Sequence, residues 1–346
     1  MRFRLVLAAS CLLLAASSAP AAPNRAAPTP GAPTLISPGQ STSVQAPSQS
    51  SAGTDSVIQF RDSFTGRLTQ LPNGSQKLYP DPSVWAFNFW PGSVWLDSYG
   101  DGTNWLAGNG ESQVYLSPYV GKVASQTIPL GLRYDPFSIQ PDGLHIRAQL
   151  LSPAQQTAYQ VGGHRRFGSG ILRQRESFTY GRIRLVAKLP NVKGSWPAFW
   201  LLPKAQIWPP EIDIFEGMVW GHHTTEVHMG LVTPKSEGGT IGLWKYLGAN
   251  PSQDFHEYGL DWTPQKLTFL FDGRVMLERP TPPSMQQPMY LLINLAVGGK
   301  WPCNELEIEP IDDMSPERLN RCANSFEAGY PADLVLRSVR VEKLTP

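Results

Sequence analysis

Charge is scarce in this chain. Lys, Arg, Asp and Glu make up 16% of its 346 residues, the net charge is +1, and no run of basic residues stands out. Nucleic acid and anionic membrane surfaces, which need a concentrated positive field, are therefore not expected as partners. Cysteine is scarcer still, with three residues, Cys11, Cys303 and Cys322. Neither a His nor a second Cys pair sits near the last two, so a thiolate metal centre is not expected. Long apolar runs are missing beyond the first residues, and the run at 5–16 is too short to span a bilayer as a resident helix. Helix signals are few and no internal repeat is visible.

What is present begins with an export pattern. Arg2 and Arg4 precede the apolar run, and Ala19-Pro20-Ala21 follows it, which reads as a secretory signal peptide over residues 1–22. Cys11 lies inside the apolar run, a poor place for a lipid anchor, so a soluble exported protein is expected, secreted or periplasmic. Residues 23–56 are Pro, Ser, Ala, Thr and Gly with almost no large apolar side chain, and such a segment reads as a disordered linker. The remaining 57–346 is long for one domain but suits a large all-β sandwich. With the signal removed, two cysteines remain in an exported chain, and a Cys303–Cys322 disulfide is expected. In the chain-entropy model it stabilises by on the order of 3 kcal/mol.

Strand signals dominate that domain. Short runs rich in β-branched and aromatic residues, bounded by Gly or Pro, predict strands over 57–64, 113–116, 144–150, 170–175, 180–188 and 198–202. More follow over 211–216, 225–229, 257–262, 266–271, 274–278, 289–295 and 334–343. Asp272-Gly273 between two alternating runs is a two-residue hairpin signal. Ser315-Pro316-Glu317 predicts a helix start, leading into a short turn to Cys322. Many short strands and almost no helix argue for two packed antiparallel sheets.

The functional signal is concentrated at 208–218, Trp-Pro-Pro-Glu-Ile-Asp-Ile-Phe-Glu-Gly-Met. Glu211, Asp213 and Glu216 sit in an otherwise apolar segment that reads as a strand. Clustered carboxylates repel each other and raise each other's pKa, so a fold keeps them for a cation, a hydrogen-bond network or chemistry. Glu211 and Asp213 share a face by alternation, whereas Glu216, five residues past Glu211, would face the other way. One β-bulge at Ile214–Phe215 would return it to the common face. Two glutamates so placed suit glycosidic bond cleavage with retention, which wants carboxyl groups about 5–5.5 Å apart. The bland alternatives are a cation site or a salt-bridged edge strand.

Further motifs flank this segment. Gly-Arg-Ile-Arg-Leu-Val-Ala-Lys-Leu-Pro occupies 181–190 and Trp-Pro-Ala-Phe-Trp-Leu-Leu-Pro occupies 196–203. His-Glu-Tyr-Gly-Leu-Asp-Trp-Thr-Pro follows at 256–264 and Pro-Met-Tyr-Leu-Leu-Ile-Asn-Leu-Ala-Val-Gly-Gly-Lys-Trp-Pro at 288–302. In order and spacing the chain resembles glycoside hydrolase family 16, in its laminarinase-type E-x-D-x-x-E branch, over roughly 57–345. The phrases at 208–216 and 288–299 are most similar to bacterial enzymes that trim exopolysaccharides such as succinoglycan. The resemblance implies a β-jelly-roll sandwich with a concave substrate cleft and endo-acting, retaining cleavage of β-1,3 or β-1,3-1,4 linkages. It implies Glu211 as nucleophile, Glu216 as acid/base with a raised pKa, and Asp213 tuning both. No cofactor is required, and a structural calcium ion is possible, though no loop here justifies assigning a metal site.

Around the carboxylates, Trp196, Trp200 and Trp301 are candidate stacking surfaces for sugar rings, with core packing the alternative for Trp200. Trp301, after Gly298-Gly299, reads as a loop residue. The aromatic-rich segment 85–105 reads as a loop walling the cleft or as a cluster capping the core. His228 is expected beside Glu216 on an adjacent strand. Glu111 is a candidate sugar ligand through the resemblance, with a solvated loop carboxylate as the alternative, and Arg175 is a weaker candidate ligand. A monomer acting on a β-linked polysaccharide, without stable membrane association, is the expectation. A transglycosylase would use the same carboxylates; a non-catalytic glucan-binding jelly roll would have no need of them.

Overall fold

Alternation makes strands here because one face of each is apolar enough to bury. On Gly181–Lys188, Ile183, Leu185 and Ala187 are fully buried on the core face, while the half-buried Arg182 and the buried Arg184 form ion pairs on the other face with Asp261, Glu257 and Glu342. The computed structural model describes residues 57–89, 98–99, 106–123, 126–218, 225–305 and 315–344.

Two main sheets carry the fold. The first runs, in spatial order, Arg274–Pro280, Lys266–Phe271, His256–Trp262, Gly181–Lys188, Ala332–Lys343, Gly143–Leu150, Phe167–Ser169 and Gln113–Tyr115. Val57–Asp62 pairs with Ala332–Lys343, and Phe137–Gln140 with Gly143–Leu150. The second runs Thr240–Tyr246, Glu226–Val232, Glu211–Gly217, Ser195–Pro203, Met289–Val297, Ile171–Gln174 and Trp85–Ala86. Pairing is antiparallel in both except between Phe167–Ser169 and Gln113–Tyr115. This is the β-jelly-roll sandwich expected from the sequence. Leu201, Ile212, Leu291 and Ile293 of the second sheet share one fully buried core with Leu185, Leu260 and Phe269 of the first. Phe215 reaches furthest across, its ring 4.3 Å from that of Tyr258.

Local signals behave as their chemistry requires. Asp272 and Gly273 both take positive φ, 47° and 75°, and Phe271 pairs with Arg274 across the turn. Ser315 caps the helix Pro316–Phe326 by accepting the Arg318 N–H, and the helix runs well past the short turn expected. It brings Cys322 to Cys303, with Cα atoms 5.8 Å apart. Several elements escape the sequence reading, among them the short strands Arg67–Gln70, Gln76–Tyr79 and Phe137–Gln140. The helix Pro153–Tyr159 starts at a capping box between Ser152 and Gln155. Strand Thr240–Tyr246 lies on the sheet edge, and none of its residues is fully buried on either face.

Of the aromatic segment 85–105, Trp85, Phe87 and Phe89 are buried in the core. Trp85 donates its indole N–H to Asp62. For these three the capping cluster replaces the cleft wall; Trp90, Trp95 and Trp105 lie outside the described residues. Among the described residues no helix is long and apolar enough to cross a membrane.

Candidate active site

The acidic strand bulges where the spacing requires it. On the Ser195–Pro203 side, Phe199 pairs with Phe215 and Trp200 with Asp213, so one step on that strand faces two on the acidic one. On the Glu226–Val232 side, Asp213 pairs with Gly230 and Glu216 with His228, three steps against two. The extra residue absorbs the odd offset. Residues directly opposite in a ladder share a face, so Glu211, Asp213 and Glu216 lie together with His228, Gly230 and Val232. Ile212 and Phe215 take the core face.

Each carboxylate has its own partners. Glu211 Oε2 accepts the Trp208 indole N–H at 3.0 Å. Burial raises the Glu211 carboxyl to about 7, the Glu216 charge adds to it, and hydrogen bonds from Asp213 and Trp208 pull the other way. Asp213, 4% exposed, is pushed well above the usual carboxylate range by burial first and then by the charges of Glu211 and Glu216. Its hydrogen bond with Glu211 raises it further, and the two carboxyls titrate as a pair. Glu216 is held at both oxygens: Oε1 accepts the Trp196 indole N–H at 3.1 Å, and Oε2 lies 3.1 Å from His228 Nδ1.

Trp196 only donates, so Oε1 is an acceptor in every protonation state. Oε2 faces His228 Nδ1, and the tautomer of that ring decides which of the two donates. The acidic strand therefore offers a carboxyl pair at Glu211–Asp213 and a second carboxyl held at both oxygens.

An aromatic cluster covers the Glu216 end. The Trp301 ring packs edge-on against His228 at 5.0 Å and against Trp196 at 5.6 Å. Trp244, from the edge strand, closes the cluster at 5.5 Å from His228 and 5.6 Å from Trp301. His228 lies over the bare backbone of Gly242, where an added Cβ would stand 2.1 Å from Nε2.

Of the residues expected at the site, Trp196, His228 and Trp301 are thus gathered around Glu216. Trp301 belongs to the first turn of the helix Lys300–Glu305 rather than to a loop. Trp200 shares the carboxylate face opposite Asp213 and, as buried as Trp196, donates instead to Asn294 Oδ1 at 2.6 Å and packs edge-on against Phe89. Glu111 does not reach the cleft. It is 2% exposed, and its oxygens accept from Leu106 N, Asn109 Nδ2 and Gln113 Nε2, which leaves neither the sugar ligand nor the solvated carboxylate of the sequence reading. Arg175 is also displaced. It is exposed, donates to the Pro82 carbonyl, and follows a strand three places from the acidic one, roughly 14 Å across the sheet.

The sequence reading missed Trp208, Trp244 and Asn294. Trp208 stands in the acidic motif itself, three residues before Glu211, and could have been found as a donor within reach. Trp244 was hidden with its unrecognised strand. Among the described residues no group of three or more His, Cys, Asp or Glu side chains is arranged to hold a metal ion, so a structural calcium finds no such cluster there.

The family model for glycosyl hydrolases family 16 matches residues 144–309. Endo-1,3-1,4-beta-glycanase ExsH of Rhizobium meliloti (strain 1021) is 34% identical over 242 residues, covering 69% of this chain and 46% of that protein. Endo-1,3-1,4-beta-glycanase EglC of the same organism is 34% identical over 193 residues, covering 55% of this chain and 38% of its own length. This chain thus spans less than half the length of either relative. The laminarinase from Rhodothermus marinus matches with a TM-score of 0.56 at 25% identity, covering 84% of this chain and 98% of that one.

Proposed function

This chain carries a glycosyl hydrolase family 16 domain at residues 144–309, and on that premise we propose that it is an endo-acting, retaining hydrolase of β-1,3 or β-1,3-1,4 linkages in a glucan or bacterial exopolysaccharide. The bulge that sets Glu211, Asp213 and Glu216 on one face carries the reading. Glu211 attacks the anomeric carbon as Glu216 gives its proton to the glycosidic oxygen; the C–O bond breaks and a glycosyl ester forms on Glu211. Glu216 then takes a proton from water, whose oxygen attacks the same carbon and releases Glu211. Asp213, hydrogen-bonded to Glu211, and the Trp208 N–H steady the charge on Glu211 before attack and as it leaves. The sequence of steps needs no cofactor.

Reducing-end release from laminarin, mixed-linkage barley glucan, succinoglycan, agarose and carrageenan, with Glu211→Gln as control, tests this. Cleavage of a β-glucan or succinoglycan, lost in the variant, is expected. Cleavage of the galactans alone would overturn the substrate class, and binding without cleavage would make the chain a glucan-binding jelly roll. The aromatic cluster beside Glu216 also gives an incoming sugar a surface, which favours transglycosylation as the second reading; products longer than the substrate would identify it.

The same proposal places the chain outside the cytoplasm, secreted or periplasmic, after removal of residues 1–22, with 23–56 as a linker and Cys303–Cys322 oxidised on export. It acts as a monomer without stable membrane association. Mass spectrometry of the exported protein checks the cleavage and the disulfide together.

A further inference from the structure

Glu111 is buried, well bonded and unused by the double displacement. Oε2 accepts from Leu106 N at 3.1 Å and Gln113 Nε2 at 2.6 Å, and Oε1 accepts from Asn109 Nδ2 at 3.2 Å. Three N–H donors converge on one side chain that has only acceptors to offer when ionised. A glutamine there would turn its own NH2 toward one of them. The site is built for a carboxylate.

Its partners lead toward the aromatic cluster. Gln113, fixed by Glu111 through Nε2, uses Oε1 to accept the Val297 N–H at 2.7 Å. The adjacent Ser112 N–H donates to the Val297 carbonyl, also at 2.7 Å, so both polar groups of Val297 are tied to this segment. Val297 ends its strand, and Gly298, Gly299, Lys300 and Trp301 follow. Gly298 and Gly299 turn the chain with φ of 59° and 99°. Both press on the same segment: an added Cβ would lie 2.6 Å from Ser112 Oγ at Gly298 and 2.8 Å from the Asn109 carbonyl at Gly299. Only glycine permits that approach. The corner so fixed delivers Trp301 to Trp196 and His228, the two side chains bonded to Glu216.

We infer that Glu111 is a positioning residue, acting through Gln113 and the Gly298–Gly299 corner to seat Trp301 against Trp196 and His228 and so to orient Glu216. The last link rests on the proposed acid/base role of Glu216, whereas the seating of Trp301 stands without it.

The test separates the two. In protein labelled with 5-fluorotryptophan, the Trp301 fluorine resonance is assigned by its loss in Trp301→Phe. Glu111→Gln is expected to shift or broaden that resonance while the core resonances of Trp85 and Trp262 stay in place. On the cleaved glucan, kcat is expected to fall about tenfold to a hundredfold with a smaller change in KM, the pattern of a misplaced reacting group. In a Trp301→Ala background the same Glu111→Gln change is expected to add no further loss, because its path is already cut. An unmoved Trp301 resonance, or losses that simply add in the double variant, overturns the inference. Should Glu111→Gln fold poorly, Gln113→Leu keeps Glu111 and cuts the bond to Val297; a still Trp301 signal there overturns it equally. If wild-type protein cleaves none of the polysaccharides, the functional proposal fails alone, and the fluorine spectra still decide whether Glu111 seats Trp301.

Discussion

Glu111 and Glu211 reach the same acidity by different routes. Burial is the largest cause for both, and both carboxyls are raised to about 7. Around Glu111 there are only donors, one from the backbone and two from side-chain amides. Around Glu211 the second cause is the charge of Glu216, and the relief comes from hydrogen bonds with Asp213 and the Trp208 indole. The first arrangement consumes the carboxylate in holding a loop. The second leaves a set of acids on one sheet face whose protons depend on one another. A raised pKa marks burial in both places; like-charged neighbours on the cleft face mark the chemistry in one.

Substitution separates them most sharply. Glu211→Gln and Glu216→Gln are each expected to lower hydrolysis by about 10³-fold or more while circular dichroism and melting stay near wild type. Glu111→Gln is expected to leave activity that is easily measured. If Glu111→Gln is as inactive as Glu211→Gln yet folded, the contrast fails. Azide sharpens the assignment within the acidic strand. With an activated β-glycoside, Glu216→Ala plus azide is expected to give the β-glycosyl azide, by attack on the ester at Glu211. Glu211→Ala plus azide is expected to give the α-anomer. The opposite pairing, read by NMR of the products, would exchange the two roles.

A smaller effect is expected from Trp208→Phe, which removes one donor from Glu211 and leaves the carboxylates in place. That hydrogen bond favours the ionised form, so its loss raises the Glu211 pKa further. A bond to a charged group is worth about 1.5–3 kcal/mol, or about 1–2 pH units. The acidic limb of the kcat/KM profile should move upward by up to that amount. A limb that stays in place would mean that the indole contributes packing and no charge stabilisation.

How much of this was legible in the sequence follows from the range of each interaction. The bulge at Ile214–Phe215 was readable because an odd spacing between carboxylates on an apolar strand has one local remedy. His228 was readable because it sits on the strand after the acidic one, where antiparallel pairing puts it opposite Glu216. Trp244 was not, since its edge strand buries no residue fully on either face and so has no core side to announce it. Glu111 was misread because its fate depends on Val297 and the Gly298–Gly299 corner, far away in sequence. Arg175 was misread because strand order, which separates it from the acidic strand, is set by the whole sandwich.

The least effect is expected in stability, where the two regions act alike. Glu111 and Glu211 bind a proton more tightly in the folded chain than their ordinary value of 4.5 allows when unfolded, and Asp213 does so more strongly still. Between pH 4.5 and about 7 the native state therefore holds more protons than the unfolded one, and stability falls as pH rises through that window. His145, raised by its bond to Asp333, is lost in the same direction as it deprotonates. The contribution of Asp333, whose carboxyl is held far below its ordinary 3.8 by Arg147 and His145, disappears only under stronger acid and leaves this window untouched. One buried carboxyl shifted from 4.5 to about 7 accounts for roughly 3 to 4 kcal/mol, so the melting temperature should drop by several degrees for each such group between pH 5 and pH 8. Glu111→Gln and Glu211→Gln each remove one titrating group and should each flatten that slope by a similar amount, although only the second removes the proposed nucleophile. A slope unchanged by Glu111→Gln but flattened by Glu211→Gln would show that Glu111 keeps its charge across the window. The three donors would then outweigh its burial, and the two carboxylates would differ in acidity as well as in surroundings.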